Sequence, residues 1–282
     1  MTKKNIAIIG VGLIGGSLAL KCRRNGMADH IVGVEANPNH AQKAIELGLV
    51  DECCSLEEAV KRSDVVVLAV PVGVITNILP KVLDLVTDQV VIDMGSTKSA
   101  LVQAVQHHPN RGRYVASHPM WGTEYSGPEA AVENAFEEKA VILCNVADSD
   151  NDALAYAKTL FESLRMHIIE MDAHDHDLHA AYVSHISHIT SFALANTVLE
   201  KEKEDNAIFE MASAGFESTV RLAKSNPAMW TPILMQNKEN VLDVLNEHIA
   251  QLRKFKSCLE KENWEYLTEL MSKANHIKRI IQ

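Results

Sequence analysis

The stretch Ser117-His118-Pro119-Met120-Trp121-Gly122-Thr123-Glu124-Tyr125-Ser126-Gly127-Pro128 sets an imidazole, which titrates near neutrality, among hydroxyls, a carboxylate and an indole. Proton transfer inside a shaped pocket is the chemistry such a group offers. The apolar run Tyr114-Val115-Ala116 reads as the end of a strand, and the residues after it are too rich in Gly, Pro and Ser to extend it. His118 is therefore expected on a loop, where binding groups concentrate. A structural loop whose His merely faces water is the competing reading.

A second set of residues points to a ligand carrying phosphates. Gly10, Gly12 and Gly15 in Gly10-Val11-Gly12-Leu13-Ile14-Gly15 match G-x-G-x-x-G, which combines a tight turn, close approach to a pyrophosphate and close helix-strand packing. The match follows the buried-strand run Asn5 to Gly10, opens a helix at Leu13 and Ile14, and precedes a second strand, Ile31-Val32-Gly33-Val34-Glu35. Glu35 stands where a carboxylate accepts hydrogen bonds from the adenosine ribose and repels a 2′-phosphate. No Lys or Arg follows until Lys43, so NAD is expected rather than NADP.

The elements that must position these groups alternate. Ser55-Leu56-Glu57-Glu58 reads as a capping-box helix start, Asp64 to Pro71 as a buried strand, about Val74 to Val86 as a helix, and Val90 to Asp93 as a further strand. The turn Met94-Gly95-Ser96-Thr97-Lys98 comes next, where Ser96 or Thr97 caps a helix or offers a hydroxyl to a ligand at the edge that holds His118. Ala140 to Cys144, about Asp152 to Leu164, and His167 to Glu170 read as strand, helix and strand. The fold class is α/β, a doubly wound Rossmann-type sheet, followed by an all-helical domain. The boundary is expected between Met171 and Asp177, giving domains 1–171 and 172–282.

The second half opens with an expected helix from about Asp175 to Glu200, with His185 and His188 three apart on one face. Five histidines from His174 to His188 invite a metal, but their spacings match no zinc arrangement, and the neighbouring acids suit a helix start. No metal is expected. Arg221 lies in a mild, small-residue segment ahead of Trp230, which fits a guanidinium reserved for a carboxylate as well as it fits a solvated helix face. From Ile233 on, Leu242, Leu245, Ile249 and Leu252 recur at helical period and read as core and helix-helix interface.

Composition excludes several classes of partner. A net charge of −10 argues against nucleic acid and anionic lipid, so any anionic ligand must be held by a few local cations. Cys22, Cys53, Cys54, Cys144 and Cys258 are odd in number and lack C-x-x-C spacing, which fits free thiols in a reducing compartment. The uncharged run after Lys3 and Lys4 is broken by glycines and lacks an A-x-A site, and no apolar stretch reaches 18 residues. A cytoplasmic protein without a membrane span is expected.

Taken together, the glycine turn, Asp93 to Lys98, Ser117 to Glu124, Ser184-His185-Ile186-Ser187-His188, and Arg221 with Trp230 resemble the prephenate and arogenate dehydrogenases of tyrosine biosynthesis over nearly the whole chain. The resemblance implies a Rossmann domain, a helical dimerisation domain and NAD(P)-linked oxidative decarboxylation of a cyclohexadienyl substrate, and the long apolar stripe of the helical half predicts a homodimer built from residues after about Asp175. It implies His118 as the base or polarising group at the substrate hydroxyl, with Ser96 as a second contact. Arg221 becomes the substrate-carboxylate binder, His188 and His185 line the same pocket, and Thr123 and Glu124 form its entrance. Where the family usually has proline, this chain has Ser187, which removes a kink before His188. No chorismate mutase segment ahead of the glycine turn and no regulatory domain after the helices are expected.

Prephenate dehydrogenase is the leading reading and arogenate dehydrogenase its nearest rival. A 3-hydroxyacid dehydrogenase would rely on a lysine in the first helix of the second domain, where this chain offers histidines. A non-catalytic NAD sensor would have lost His118, Ser96 or Arg221, and all three are present.

Overall fold

Strands buried on both faces must be apolar throughout, and the runs Ile6-Ala7-Ile8-Ile9, Val65-Val66-Val67-Leu68 and Val90-Val91-Ile92 meet that demand, each residue buried. In the computed structural model, which describes residues 3–203 and 208–280, they form the centre of an eight-stranded sheet. The strands are β1 (Lys4–Ile9), β2 (Ala28–Val34), β3 (Glu52–Cys53), β4 (Val65–Leu68), β5 (Val90–Asp93), β6 (Tyr114–Pro119), β7 (Ala140–Cys144) and β8 (His167–Met171). Their order is β3-β2-β1-β4-β5-β6-β7-β8, and all neighbours run parallel except β6 and β7. The order reverses between β1 and β4, which is where doubly wound sheets open a ligand crevice at the strand C-termini.

Helices α1 (Leu13–Arg24), α2 (Pro38–Glu46), α3 (Leu56–Arg62), α4 (Val72–Leu85), α5 (Ser99–Ala104) and α6 (Asn151–Ser163) connect the strands. The expected capping box is formed: the Ser55 hydroxyl accepts from the Glu58 amide, and the Glu58 carboxylate accepts from the Ser55 amide. Two apolar clusters fill the two faces of the sheet, one including Leu18, Phe136 and Phe161, the other Leu79, Leu83 and Tyr114.

The chain forms two compact units, Met1–Asn237 and Lys238–Gln282. The first also holds α7 (Ala173–Ala180), α8 (Ile186–Glu202), α9 (Ala214–Val220) and α10 (Pro227–Gln236). The single helix expected from Asp175 to Glu200 is interrupted by a π-helical turn, Ala181–His185, whose wider winding resets the faces presented after it. In the second unit α11 (Lys238–Glu260) packs on α12 (Trp264–Ala274). Val241, Val244 and Cys258 are its buried apolar positions, whereas Leu242 and Leu252 of the expected stripe are exposed. Residues 281 and 282 of that C-terminal segment lie outside the described residues. No helix among the described residues is long and apolar enough to cross a membrane.

Candidate active site

The glycine turn is built as its spacing requires. Gly10 has φ +94°, and a Cβ there would meet the Val70 side chain at 2.6 Å and the Ala69 carbonyl at 2.8 Å. A Cβ on Gly15 would lie 2.1 Å from the Gly10 carbonyl, so this glycine lets α1 close on β1. Gly12 differs, because a Cβ there would find the Gly127 amide as its nearest neighbour, at 4.0 Å. That open space at the N-terminus of α1, with Leu13 and Ile14 beginning the helix, suits a pyrophosphate. Glu35, just past β2, is held by the Val11 amide at 3.3 Å on one oxygen and the Asn37 amide at 3.0 Å on the other. Lys43 is engaged by Glu129 at 3.5 Å and Glu46 at 3.8 Å.

At the same edge of the sheet Ser96, His118, Thr123, Glu124, His188 and Arg221 line one cavity of about 290 Å³, together with Met120, Trp121 and Trp230. His118 does not sit on a loop as expected: it is the penultimate residue of β6, paired antiparallel with Ile142 of β7, and buried. Its backbone is thereby fixed by a ladder on the β7 side.

His118 Nδ1 lies 2.8 Å from His176 Nε2, and His176 Nδ1 lies 2.8 Å from Asp177 Oδ1. Asp177 accepts from the Lys98 amide at 2.8 Å and the Ser99 amide at 2.9 Å, so it caps α5 from another helix. The cap expected from Ser96 or Thr97 is not formed, which leaves the Ser96 hydroxyl to the cavity. Burial opposes a charge on Asp177, but these hydrogen bonds outweigh it and hold its carboxyl below the ordinary carboxylate range. An ionised carboxylate only accepts, so His176 carries its hydrogen on Nδ1. In this tautomer the His176 Nε2 accepts from His118 Nδ1, and His118 presents a bare Nε2. Burial first, then the neighbouring His176, Lys98 and His185, pushes the His118 pKa well below 6.5.

Also on the cavity wall, His188 stacks on Trp230, with ring centroids 3.4 Å apart, and donates from Nδ1 to the Ser184 carbonyl at 3.1 Å. Burial lowers its pKa against the pull of that carbonyl. His185 does not line the cavity. It lies behind, edge-on to Trp230, with Nδ1 3.1 Å from Asn237 Nδ2, and burial pushes its pKa down to about 4. The Arg221 guanidinium reaches Glu124 through a long contact of 3.4 Å, which leaves most of its donors for a ligand. Its segment is bolted to α8 by the buried Ser191, which accepts from the Ala223 amide at 3.0 Å and donates to the Thr219 carbonyl at 3.1 Å. Thr97 Oγ donates to Gln236 at 2.6 Å, and Gln236 donates to Thr76 at 2.9 Å, which anchors the end of α10, the helix that carries Trp230.

His176 and Asp177 carry little mark of their role in the local sequence, where the histidine cluster reads as a metal candidate and its acids as a helix start. The available signal was the adjacency of His and Asp, a pair able to orient a second imidazole.

Comparison with known proteins places the chain in a family. Residues 18–170 match the family model for the prephenate dehydrogenase nucleotide-binding domain, and residues 172–273 match that for its dimerization domain. A prephenate dehydrogenase of Bacillus subtilis is 33% identical over 269 residues, covering 94% of this chain and 72% of the relative. A cyclohexadienyl dehydrogenase of Zymomonas mobilis is 32% identical, with 94% and 92% covered. The crystal structure of A. aeolicus prephenate dehydrogenase in complex with hydroxyphenyl propionate and NAD+ superposes with a TM-score of 0.92 at 32% identity, covering 100% of this chain and 99% of that one.

Proposed function

The chain belongs to the prephenate dehydrogenase family, and from that premise we propose that it converts prephenate to 4-hydroxyphenylpyruvate and carbon dioxide with NAD. The observation that carries this reading is the shared cavity, in which a base, a hydroxyl and a guanidinium face one another at the sheet edge that also carries the glycine turn.

Gly10, Gly12, Leu13, Ile14, Gly15 and Glu35 would hold NAD, which would supply the hydride acceptor. As hydride leaves carbon 4, the hydroxyl there becomes a carbonyl, and His118 Nε2 takes its proton. Loss of carbon dioxide sends the bond's electron pair into the ring, which becomes aromatic, and the same oxygen takes the proton back from His118. One imidazole therefore serves both halves of the reaction, and no net proton is released. Ser96 offers a second hydrogen bond at the hydroxyl. Arg221, with His188, holds a substrate carboxylate, and Thr123 and Glu124 shape the entrance. His185 acts from behind, supporting Trp230 and Asn237.

The family models meet between residues 170 and 172, which supports domains of 1–171 and 172–282. The chain assembles as a homodimer, a conclusion supported by the dimerization-domain match and by the exposed Val183, Leu199 and Met211 of the first unit and Leu252 and Leu259 of the second. Five free thiols fit a cytoplasmic enzyme.

Arogenate is the second substrate to weigh, because Glu124 in the cavity offers a carboxylate to its ammonium. Initial rates with NAD on purified prephenate and arogenate test the assignment. Faster turnover of prephenate is expected; a strong preference for arogenate overturns it.

A further inference from the structure

The main-chain ladder between β5 and β6 ends at Ile92↔Val115, two residues short of Ser117. Where it ends, side chains take over. The Ser117 amide donates to Asp93 Oδ1 at 3.0 Å, and the Ser117 carbonyl accepts from Lys98 Nζ at 2.7 Å. Lys98 Nζ also donates to Asp93 Oδ2. The Gly95 amide and the Tyr114 hydroxyl, each at 2.8 Å, complete four donors around the Asp93 carboxylate. Asp93, Lys98 and Ser117 are wholly buried.

Burying two charges stabilises a fold little compared with apolar side chains of the same volume, because each charge must be stripped of water. The location of the pair therefore asks for another reason. The carbonyl that Lys98 holds belongs to the peptide linking Ser117 to His118, so the clamp acts on the residue that presents the imidazole to the cavity. We propose that Lys98, ion-paired with Asp93, is a positioning residue for His118, fixing the Ser117 peptide where the β5 ladder stops and standing as a positive charge behind the imidazole.

The groups facing His118 are His176 from α7, His185 from the π-helical turn and Lys98 from the β5–α5 turn, with Glu124, His188 and Arg221 around the cavity. Lys98 is the one lysine among those that disfavour a protonated His118. The inference rests on the reading of His118 as the base, and its test separates the two.

The variant is Lys98→Met, which keeps the side-chain length and removes the charge. The readouts are the nitrogen-15 titration of the His118 imidazole, the pH profile of kcat, and KM for prephenate. The His118 midpoint is expected to rise by about one pH unit or more, with the acid limb of kcat following it. Plateau kcat is expected to fall about tenfold or more as the imidazole loses its fixed place, with KM within about twofold of wild type. If Lys98→Met does not fold, Lys98→Met with Asp93→Asn leaves no unpaired charge, and a smaller upward shift is expected there. A folded, NAD-binding variant with an unchanged His118 midpoint and unchanged kcat overturns the proposal. So does a large rise in KM at unchanged kcat, which would make Lys98 a substrate binder. The imidazole midpoint reports on Lys98 whether or not His118 is the base; failure of the base reading appears instead as an active His118→Asn enzyme.

Discussion

His118 Nδ1 meets His176 Nε2 at 2.8 Å across 58 residues of sequence, joining the end of a strand to a helix that begins only after β8. With Asp177 behind His176, the contact decides which nitrogen of His118 is left bare. Replacing His176 by Leu removes the acceptor for His118 Nδ1 and lets the ring adopt either tautomer or turn. A fall in kcat of about tenfold or more is expected at nearly constant KM for prephenate, measured by steady-state kinetics. A His176→Leu enzyme with wild-type kcat would remove the orienting role.

Arg221→Gln separates binding from chemistry. Among the described residues the guanidinium has one long contact, to Glu124, so its loss strands little within the protein and removes a charge-assisted contact to the substrate. Such contacts contribute about 1.5–3 kcal/mol, so KM for prephenate should rise roughly ten- to a hundredfold while kcat changes far less. An equal loss in kcat alone would place Arg221 in the chemical step.

Glu35→Gln tests the cofactor site. Glu35 is oriented by the Val11 and Asn37 amides, and a glutamine keeps the shape while losing the negative charge. Weaker NAD binding and a smaller discrimination against NADP are expected from initial rates with both cofactors. Wild-type enzyme that already uses NADP as well as NAD would contradict the role given to Glu35.

The parts of the fold written in local sequence were readable there. The glycine turn, the capping box at Ser55 and the buried strands at Val65 and Val90 each rest on backbone geometry or on apolar runs a few residues long. His118 was expected on a loop because Pro119 and the glycines after it do not look like strand. It is held in β6 by Ile142, whose pairing is tertiary and leaves no mark near His118. The same is true of Asp177, which reads as an ordinary acid at a helix start but caps α5 through two amides 78 and 79 residues away. The π-helical turn that ends at His185 also has no local signal, and it sends His185 inward to Asn237 and leaves His188 on the cavity.

Acid should unfold the protein early. His118 and His185 are buried with pKa values depressed below 6.5, that of His185 to about 4. The unfolded chain takes up these protons near pH 6.5 and the folded chain does not, so their stability contribution is complete above about pH 6.5. It is lost as pH falls below that, down to about 4 for His185, at about 1.4 kcal/mol per pH unit for each imidazole. Urea unfolding at pH 7 and pH 5 checks the sign: the midpoint should drop at pH 5, and a flat or rising midpoint would contradict burial of neutral imidazoles.

The most direct test is the pH profile of kcat for prephenate oxidation in the wild type and in His118→Asn. Wild-type kcat should hold to below pH 6.5 and then fall as His118 is protonated, because an imidazolium cannot accept the hydroxyl proton. His118→Asn should lose that limb and about 100- to 10,000-fold in kcat, with KM for prephenate and NAD little changed. Near-normal kcat in His118→Asn, or an acid limb that survives the substitution, would contradict the assignment of His118 as the base.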